Sequence, residues 1–89
     1  GQVYQVFLTI ECLDRINLLA DVGNMFGESK TNITSVRTQS HSDKTATLEL
    51  AIEVRDTQHL AQIMQKVRGM GDILDIRRAT AIRKEPRLK

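Results

Sequence analysis

The sequence predicts an α+β fold in which two helices cover one face of a four-stranded sheet. The first observation is the strict alternation of apolar and polar residues across positions 45–55, the period-2 pattern of a strand with one buried face. The apolar members of this strand are Ala46, Leu48, Leu50, Ile52 and Val54. The second observation is that two other segments, 18–26 and 60–67, repeat apolar residues at helical spacing. Strands and helices that each have one apolar side can bury those sides in a single core.

Length and composition limit the chain to one small domain. Its 89 residues are enough for a two-layer core, and its formal net charge is +2. Much of the basic excess forms a stripe near the C-terminus, made of Arg77, Arg78, Arg83, Lys84, Arg87 and Lys89. The single cysteine excludes an internal disulfide and fits a reducing compartment. No apolar run reaches the length of a membrane span and no signal peptide is seen, so we expect a cytoplasmic protein. Because the sequence starts at Gly1, we also expect it to be a fragment of a longer protein.

The first strand is predicted over Val3 to Cys12, where apolar and polar residues alternate. The period changes between Leu13 and Ile16, and a helix follows from about Ile16 to Ser29. Such a sharp turn from strand to helix presents unpaired backbone N–H groups and the positive end of the helix dipole at one spot. Two interpretations stay open: the corner binds an anion or a carboxylate, or Asp14 or Asn17 accepts those N–H groups as a plain helix cap.

The second strand, Ile33 to Gln39, has a poor pattern, because Ile33 and Val36 would lie on opposite faces. A bulge or an edge position explains such a pattern. Residues 40–44 form a polar hairpin loop, and the third strand runs from Thr45 to Arg55. Its one apolar and one polar face indicate an antiparallel or mixed sheet that is covered on one side only.

The second helix is predicted to begin at a cap formed by Asp56 and Thr57 and to end at Gly69 and Gly71. Its apolar face consists of Leu60, Ile63, Met64 and Val67.

The last strand is predicted over Asp72 to Ala79, with Leu74 and Ile76 facing inward. We therefore expect one domain over residues 1–80 and a flexible basic tail over residues 81–89. The element order is β-α-β-β-α-β, and right-handed crossovers then give the strand order 4-1-3-2 of the ferredoxin-like fold. Many functions share this fold, so the function has to be argued from sites.

The polar face of the third strand disfavours RNA binding of the kind that stacks bases on a sheet. It consists of Thr45, Thr47, Glu49, Ala51 and Glu53, with no aromatic residue and two carboxylates that repel phosphate. Phe7 on the first strand is the one aromatic residue left for stacking.

Metal binding and catalysis are not predicted, and neither is a cofactor. Cys12 has no partner thiol, and His41 and His59 lie in different segments. We expect Cys12 to be a small hydrophobic residue at the end of a strand and His59 to be a surface residue. Asp14 and Arg15 have no nucleophile or glycine-rich loop beside them, so we expect them to cap the helix and to reach across the end of the sheet.

Two binding surfaces remain as hypotheses. The first is a ligand site at the corner, made of Leu13, Asp14, Arg15, Asn17 and Leu18. The second is a dimer edge on the second strand, made of Thr34, Val36 and Thr38.

The ordered segments of the chain resemble an ACT domain, the small ligand-binding and regulatory module of enzymes of amino-acid metabolism. The first segments are Leu13-Asp14-Arg15-x-x-Leu18-Leu19-x-Asp21-Val22 and Lys30-Thr31-Asn32-Ile33. The later ones are Ala46-Thr47-Leu48-Glu49-Leu50-Ala51-Ile52-Glu53-Val54, Asp56-x-x-His59-Leu60 and Gly71-Asp72-Ile73-Leu74-Asp75-Ile76-Arg77-Arg78. This set, from about Tyr4 to Arg78, is most similar to the C-terminal ACT domain of RelA/SpoT-type enzymes, the bifunctional (p)ppGpp synthetases/hydrolases of the bacterial stringent response.

The resemblance implies a regulatory domain without catalytic residues, whose parent chain is a GTP pyrophosphokinase and (p)ppGpp hydrolase. It implies that the domain transmits amino-acid starvation through contacts with other regulatory domains and with the ribosome. ACT domains bind amino acids at the first loop, often between two protomers, and commonly have glycine where this chain has Asn17. We expect a homodimer through an edge strand, and an amino acid as the ligand if a small molecule binds at the corner. The alternative is an amino-acid-binding ACT module of a biosynthetic enzyme or a standalone ACT protein.

Overall fold

The computed structural model describes residues 2–80, which contain four strands and two helices in the predicted order. They are β1 (Tyr4–Leu13), α1 (Leu18–Glu28), β2 (Asn32–Ser40), β3 (Thr45–Val54), α2 (Thr57–Arg68) and β4 (Ile73–Ala79). Every pair of neighbouring strands is antiparallel, and the order across the sheet is β2-β3-β1-β4. This is the predicted order 4-1-3-2 read from the opposite edge, so the ferredoxin-like α+β fold is confirmed. The predicted tail over 81–89 lies outside the described residues.

One core lies between the sheet and the two helices, because both helices pack on the same face. Alternate residues of the central strands β1 and β3 and the apolar stripes of both helices fill it. Its largest fully buried side chains are Phe26, Leu8, Ile10, Leu50, Ile52 and Ile63. The opposite face of the sheet carries the polar residues, as the alternation predicted.

A β-bulge explains the poor pattern of β2. The register of β2 against β3 shifts between Ile33 and Ser35, so one extra residue, Thr34, enters the strand. Because of that residue, Ile33 and Val36 both lie opposite inward-facing residues of β3, namely Ile52 and Leu50. Since β2 is also an edge strand, both explanations offered from the sequence are confirmed.

A second irregularity corrects the prediction for β4. Ile76 faces the core as predicted, but Leu74 is 58% exposed, so its predicted inward position is wrong. The register against β1 shifts between Glu11 and Cys12, which places Ile73 opposite the buried Cys12. The shift lets Ile73 pack against the core in the place that simple alternation gives to Leu74.

The prediction that His59 lies on the surface is wrong, because this residue is only 4% exposed. Its Nδ1 accepts a hydrogen bond from the backbone N–H of Arg55 at 3.0 Å, and its Nε2 lies 3.1 Å from Thr31 Oγ1. The Thr31 hydroxyl donates to the carbonyl oxygen of Ser29, so the ring proton belongs on Nε2. The predicted cap is confirmed, since Asp56 Oδ1 accepts from the backbone N–H of His59 at 2.7 Å.

Candidate functional site

The corner, which we define as residues 13–18, joins the end of β1 to the start of α1. Asn17 has a left-handed backbone (φ 69°, ψ 6°), which asparagine tolerates better than most residues and which reverses the chain into the helix. Backbone hydrogen bonds attach the corner to two other segments. The N–H of Leu13 donates to the carbonyl oxygen of Asp72 at 2.9 Å, and the N–H of Asp14 donates to that of Lys44 at 2.9 Å.

The start of α1 has no side-chain cap, so the proposed capping role of Asp14 or Asn17 is not observed. The left-handed backbone of Asn17 and hydrogen bonds between main-chain groups form the first turn of α1 instead. The N–H of Asp21 donates to the carbonyl oxygen of Asn17 at 2.9 Å, and that of Leu18 donates to Arg15 at 3.3 Å. The positive end of the helix dipole is therefore directed at the corner without an oxygen acceptor from a capping side chain.

Arg15 dominates the side-chain geometry of the corner through what we call the Arg15 bridge. Its Nε donates to Asp72 Oδ2, its Nη2 donates to Asp21 Oδ2 at 2.8 Å, and its Nη1 donates to the carbonyl oxygen of Ile16 at 3.0 Å. The predicted reach of Arg15 across the end of the sheet is confirmed. The hydrogen bonds to Asp21, and next those to Asp72, raise the pKa of Arg15 further above its ordinary value. Since the three side chains are 33–46% exposed, water screens these ion pairs, and they are easily separated.

The corner can offer partners to both ends of an amino acid. The carboxylates of Asp14, Asp21 and Asp72 suit an ammonium group, while the Arg15 guanidinium and the start of α1 suit a carboxylate. Ile16, beside them, is 85% exposed.

The predicted ligand residues differ in their availability. Leu13, Asp14, Arg15 and Asn17 are exposed at the corner, whereas the side chain of Leu18 is buried in the core and only its backbone belongs to the site. Sequence reasoning did not include Asp21 and Asp72 in the site. Both lie within quoted ACT-like segments, but Asp72 is 57 positions from Arg15 and reaches it only because β4 lies beside β1 in the sheet.

Cys12, immediately before the corner, is unsuited to nucleophilic chemistry. Its side chain is fully buried in the core, where Sγ donates to the carbonyl oxygen of Ala46 at 3.4 Å. Burial raises the pKa of the thiol, and the negative charges of Glu11, Asp14 and Asp72 raise it further. The reactive thiolate is therefore disfavoured, and Cys12 acts as the small hydrophobic residue that the sequence predicted.

Residues 2–80 contain no group of three or more histidine, cysteine, aspartate or glutamate side chains placed to hold a metal ion. None of the helices within this range is long and apolar enough to cross a membrane.

The predicted dimer edge is the outer side of β2, which pairs with no other strand in the described part of the chain. Val36 is 45% exposed there and Thr38 is exposed, although Val36 lies on the helix-covered side of the sheet. Thr34 is occupied within the domain, since its hydroxyl donates to the carbonyl oxygen of Ala51 at 3.2 Å and accepts from Gln5 Nε2 at 2.9 Å. Val36 is thus the residue best placed for an intermolecular contact.

Within residues 2–80, the open face of the sheet carries three ion pairs, of which two connect neighbouring strands and one lies within β4. Arg37 lies 3.9 Å from Glu49, and Arg77 contacts Glu11 at 3.2 Å and Asp75 at 2.7 Å. The arginines of this face are therefore matched by carboxylates, an arrangement that leaves little net attraction for a phosphate backbone.

The sequence of the chain is similar to those of known proteins. An ACT-domain family model matches residues 1–78. The chain is 34% identical over 84 residues to a GTP pyrophosphokinase of Streptomyces coelicolor and 32% identical over 81 residues to the bifunctional (p)ppGpp synthase/hydrolase RelA of Mycobacterium tuberculosis. These matches cover 94% and 91% of this chain, but only 10% and 11% of the two relatives.

A solved structure shares the fold. The crystal structure of the ACT domain from a GTP pyrophosphokinase of Chlorobium tepidum superposes with a TM-score of 0.75 at 20% identity, covering 88% of this chain and all of that one. The resemblance to the ACT domains of RelA/SpoT-type enzymes is thus confirmed, and the chain spans about a tenth of the length of those relatives. This chain belongs to the ACT domain family.

Proposed function

We propose that this chain is a non-catalytic regulatory domain of a bifunctional (p)ppGpp synthetase/hydrolase, a GTP pyrophosphokinase that acts in the stringent response in the cytoplasm. The observation that carries the proposal is the alignment of nearly the whole chain with about a tenth of a GTP pyrophosphokinase, at 34% identity. A tenth of such an enzyme leaves ample chain for catalytic domains elsewhere. The geometry at the corner favours binding over catalysis, since the charged groups of the Arg15 bridge contact one another and the thiol of the neighbouring Cys12 is buried.

The proposed role is to transmit amino-acid starvation by binding a ligand, by contacting other regulatory domains of the parent enzyme, or by contacting the ribosome. The ligand that suits the corner is an amino acid. Its carboxylate meets the start of α1, where the helix dipole favours a negative charge by about 0.3–2 kcal/mol depending on burial. Its ammonium group meets the carboxylates around Arg15. Of these, Asp72 and Asp21 contact Arg15, whereas Asp14 takes no part in the Arg15 bridge.

The alternative is that the chain regulates an enzyme of amino-acid biosynthesis or acts as a standalone ACT protein. The fold and the charged corner suit this function equally well. The relatives named above favour the first proposal, because one is a GTP pyrophosphokinase and the other is a bifunctional (p)ppGpp synthase/hydrolase.

The test of the function uses the intact protein that contains this chain. We expect that protein to synthesise and hydrolyse (p)ppGpp, and we expect deletion of this domain to preserve that chemistry while changing the accumulation of (p)ppGpp after amino-acid starvation. The control is the isolated chain, which should show no turnover with GTP and ATP or with (p)ppGpp. Turnover by the isolated chain, or a parent protein with unrelated chemistry, contradicts the proposal.

We also propose that the domain forms a homodimer through the outer edge of β2. An edge strand with unpaired backbone groups can pair with a second copy about a two-fold axis. Exposed Val36 adds an apolar contact, and its neighbour Arg37 is turned to the open face towards Glu49, away from Val36. In such a dimer, the partner can complete the ligand site at the corner.

A further inference from the structure

The Arg15 bridge connects three segments of the chain, and one of them, at Asp72, is far from the other two in the sequence. One guanidinium contacts the loop at Ile16, the first turns of α1 at Asp21 and the start of β4 at Asp72. The last contact is reinforced by a backbone bond, since the N–H of Leu13 donates to the carbonyl oxygen of the same Asp72. The state of this one side chain therefore affects how firmly the corner is attached to β4.

The bridge occupies the groups that an amino acid needs. The donors of Arg15 that face Asp72 and Asp21 are the natural partners of a ligand carboxylate, and the two aspartates are natural partners of a ligand ammonium group. A zwitterion can replace an arginine–aspartate pair by inserting between its members, because it supplies one charge to each. A simple carboxylic acid or a simple amine satisfies only one member and leaves the other without its partner.

We propose that the Arg15–Asp72 contact is an autoinhibitory ion pair that an α-amino acid opens by insertion. The ligand carboxylate replaces Asp72 on the guanidinium, and the ligand ammonium group binds the released Asp72 carboxylate. This inference rests on the proposed amino-acid ligand and adds Asp72, a residue from the other end of the domain's sequence, to its site.

Opening of the pair has a consequence for β4. Asp72 immediately precedes β4, and its backbone carbonyl holds the corner through the Leu13 N–H bond. When the side chain of Asp72 moves from Arg15 to the ligand, that backbone bond loses the contact that holds its acceptor in place. Ligand binding at the corner thus loosens the first residues of β4, which gives the signal a physical route to the last strand.

The experiment measures binding and local opening separately in three proteins: the unmodified chain, D72N and the matched control D75N. Asp75 is an exposed aspartate of β4 that contacts Arg77 and not Arg15. Each protein is titrated with the twenty common L-amino acids at millimolar concentration. The amino acid that gives the largest NMR shifts is then compared with its decarboxylated amine and its deaminated acid. Amide hydrogen exchange at Leu13 and the Nε–H signal of Arg15 are recorded with and without that amino acid.

We expect the unmodified chain and D75N to bind the amino acid but neither its decarboxylated amine nor its deaminated acid. We also expect that binding shifts the Nε–H signal of Arg15 and speeds amide hydrogen exchange at Leu13. In D72N we expect the Arg15 signal to be altered before any ligand is added, and the preference for the amino acid over its deaminated acid to fall by about tenfold or more, because the ammonium group loses its charged partner while Arg15 is already open to a carboxylate. If D72N keeps the full preference of the unmodified chain, or if the amino acid leaves Arg15 and Leu13 unchanged at saturation, the inference is overturned and the ligand site stands. If no amino acid binds any of the three proteins, the proposed ligand and the inference both fail.

Discussion

The buried imidazole of His59 shows how one residue can hold two turns together. It accepts the N–H of Arg55 just before α2 and donates to the hydroxyl of Thr31 between α1 and β2. We expect His59→Leu to lower the free energy of unfolding by about 1–3 kcal/mol, because the buried Thr31 hydroxyl and the part-buried N–H of Arg55 each lose a hydrogen bond to the ring. Urea denaturation measures this change. The control is Gln58→Leu on the exposed side of the same turn, and an equal effect of both variants contradicts the assigned role.

The thiol of Cys12 predicts a pH dependence of stability. Burial, with a smaller effect of nearby carboxylates, raises its pKa in the folded state above the ordinary value of about 8.5. Above that ordinary value the unfolded chain loses the proton while the folded chain keeps it, so the contribution of Cys12 is present at lower pH and is lost as the pH rises through the folded pKa. We expect the free energy of unfolding to fall more steeply above about pH 8.5 in the unmodified chain than in C12A. If the free energy of unfolding changes with pH in the same way in C12A and in the unmodified chain, the thiol does not cause the pH dependence.

At the scale of single elements, the outer edge of β2 predicts self-association. We expect Val36→Lys to abolish the proposed dimer, because the substitution places a charge on the exposed apolar residue of the unpaired edge. Sedimentation equilibrium over a wide range of protein concentration measures the effect. Leu74→Lys is the matched control, since Leu74 is an exposed apolar residue on the other edge strand. If the unmodified chain has a constant monomer mass at all concentrations, the proposed dimer does not form. If V36K still dimerises, the interface does not include the outer edge of β2.

Helix α1 contains two glycines that lower the stability of the helix without a steric or conformational need for glycine. A Cβ added at Gly23 or at Gly27 meets no atom within 4 Å, and neither residue has a positive φ. We therefore expect Gly23→Ala and Gly27→Ala each to stabilise the domain by about 0.5–1 kcal/mol, since alanine restricts the unfolded chain and favours the helix. Gly69→Ala provides a contrast, because Gly69 lies outside the helix as the C-cap of α2, so we expect a smaller gain there even though an added Cβ would make an ordinary contact with the carbonyl oxygen of Lys66 at 3.4 Å. Denaturation curves that show no gain for either helix variant contradict this account.

For the whole molecule, the sequence predicts the features that depend on periodicity and few of those that depend on strand register. The alternation in β3 and the helical spacing in α1 and α2 are enough to predict the element order and the strand order. Simple alternation places Leu74 inward, which is wrong, because a bulge changes the phase of a strand without a distinctive residue to mark it.

The same limit applies to the candidate site. Arg15 and Asn17 could be selected from the change of period at the corner, but the contact between Arg15 and Asp72 depends on which strands become neighbours. The burial of His59 does not follow from its local sequence for the same reason, since its partner Thr31 lies 28 positions away. Contacts of this kind arise from topology, and no local pattern records them.

The neighbouring positions of β1 and β4 also determine how the domain responds to mechanical force. In their antiparallel register Phe7 lies opposite Ala79, so the chain enters the sheet and leaves it at the same end. A pull applied through these two ends separates β1 from β4 in an unzipping geometry, in which the hydrogen bonds break one after another and do not share the load. We expect single-molecule pulling through the two ends to unfold the domain at a lower force than pulling between Tyr4 at the start of β1 and Ile73 at the start of β4, which lie at opposite ends of the pair, so that the force loads its hydrogen bonds in shear. Equal forces in the two directions would mean that the β1–β4 pair is not the first part of the sheet to open.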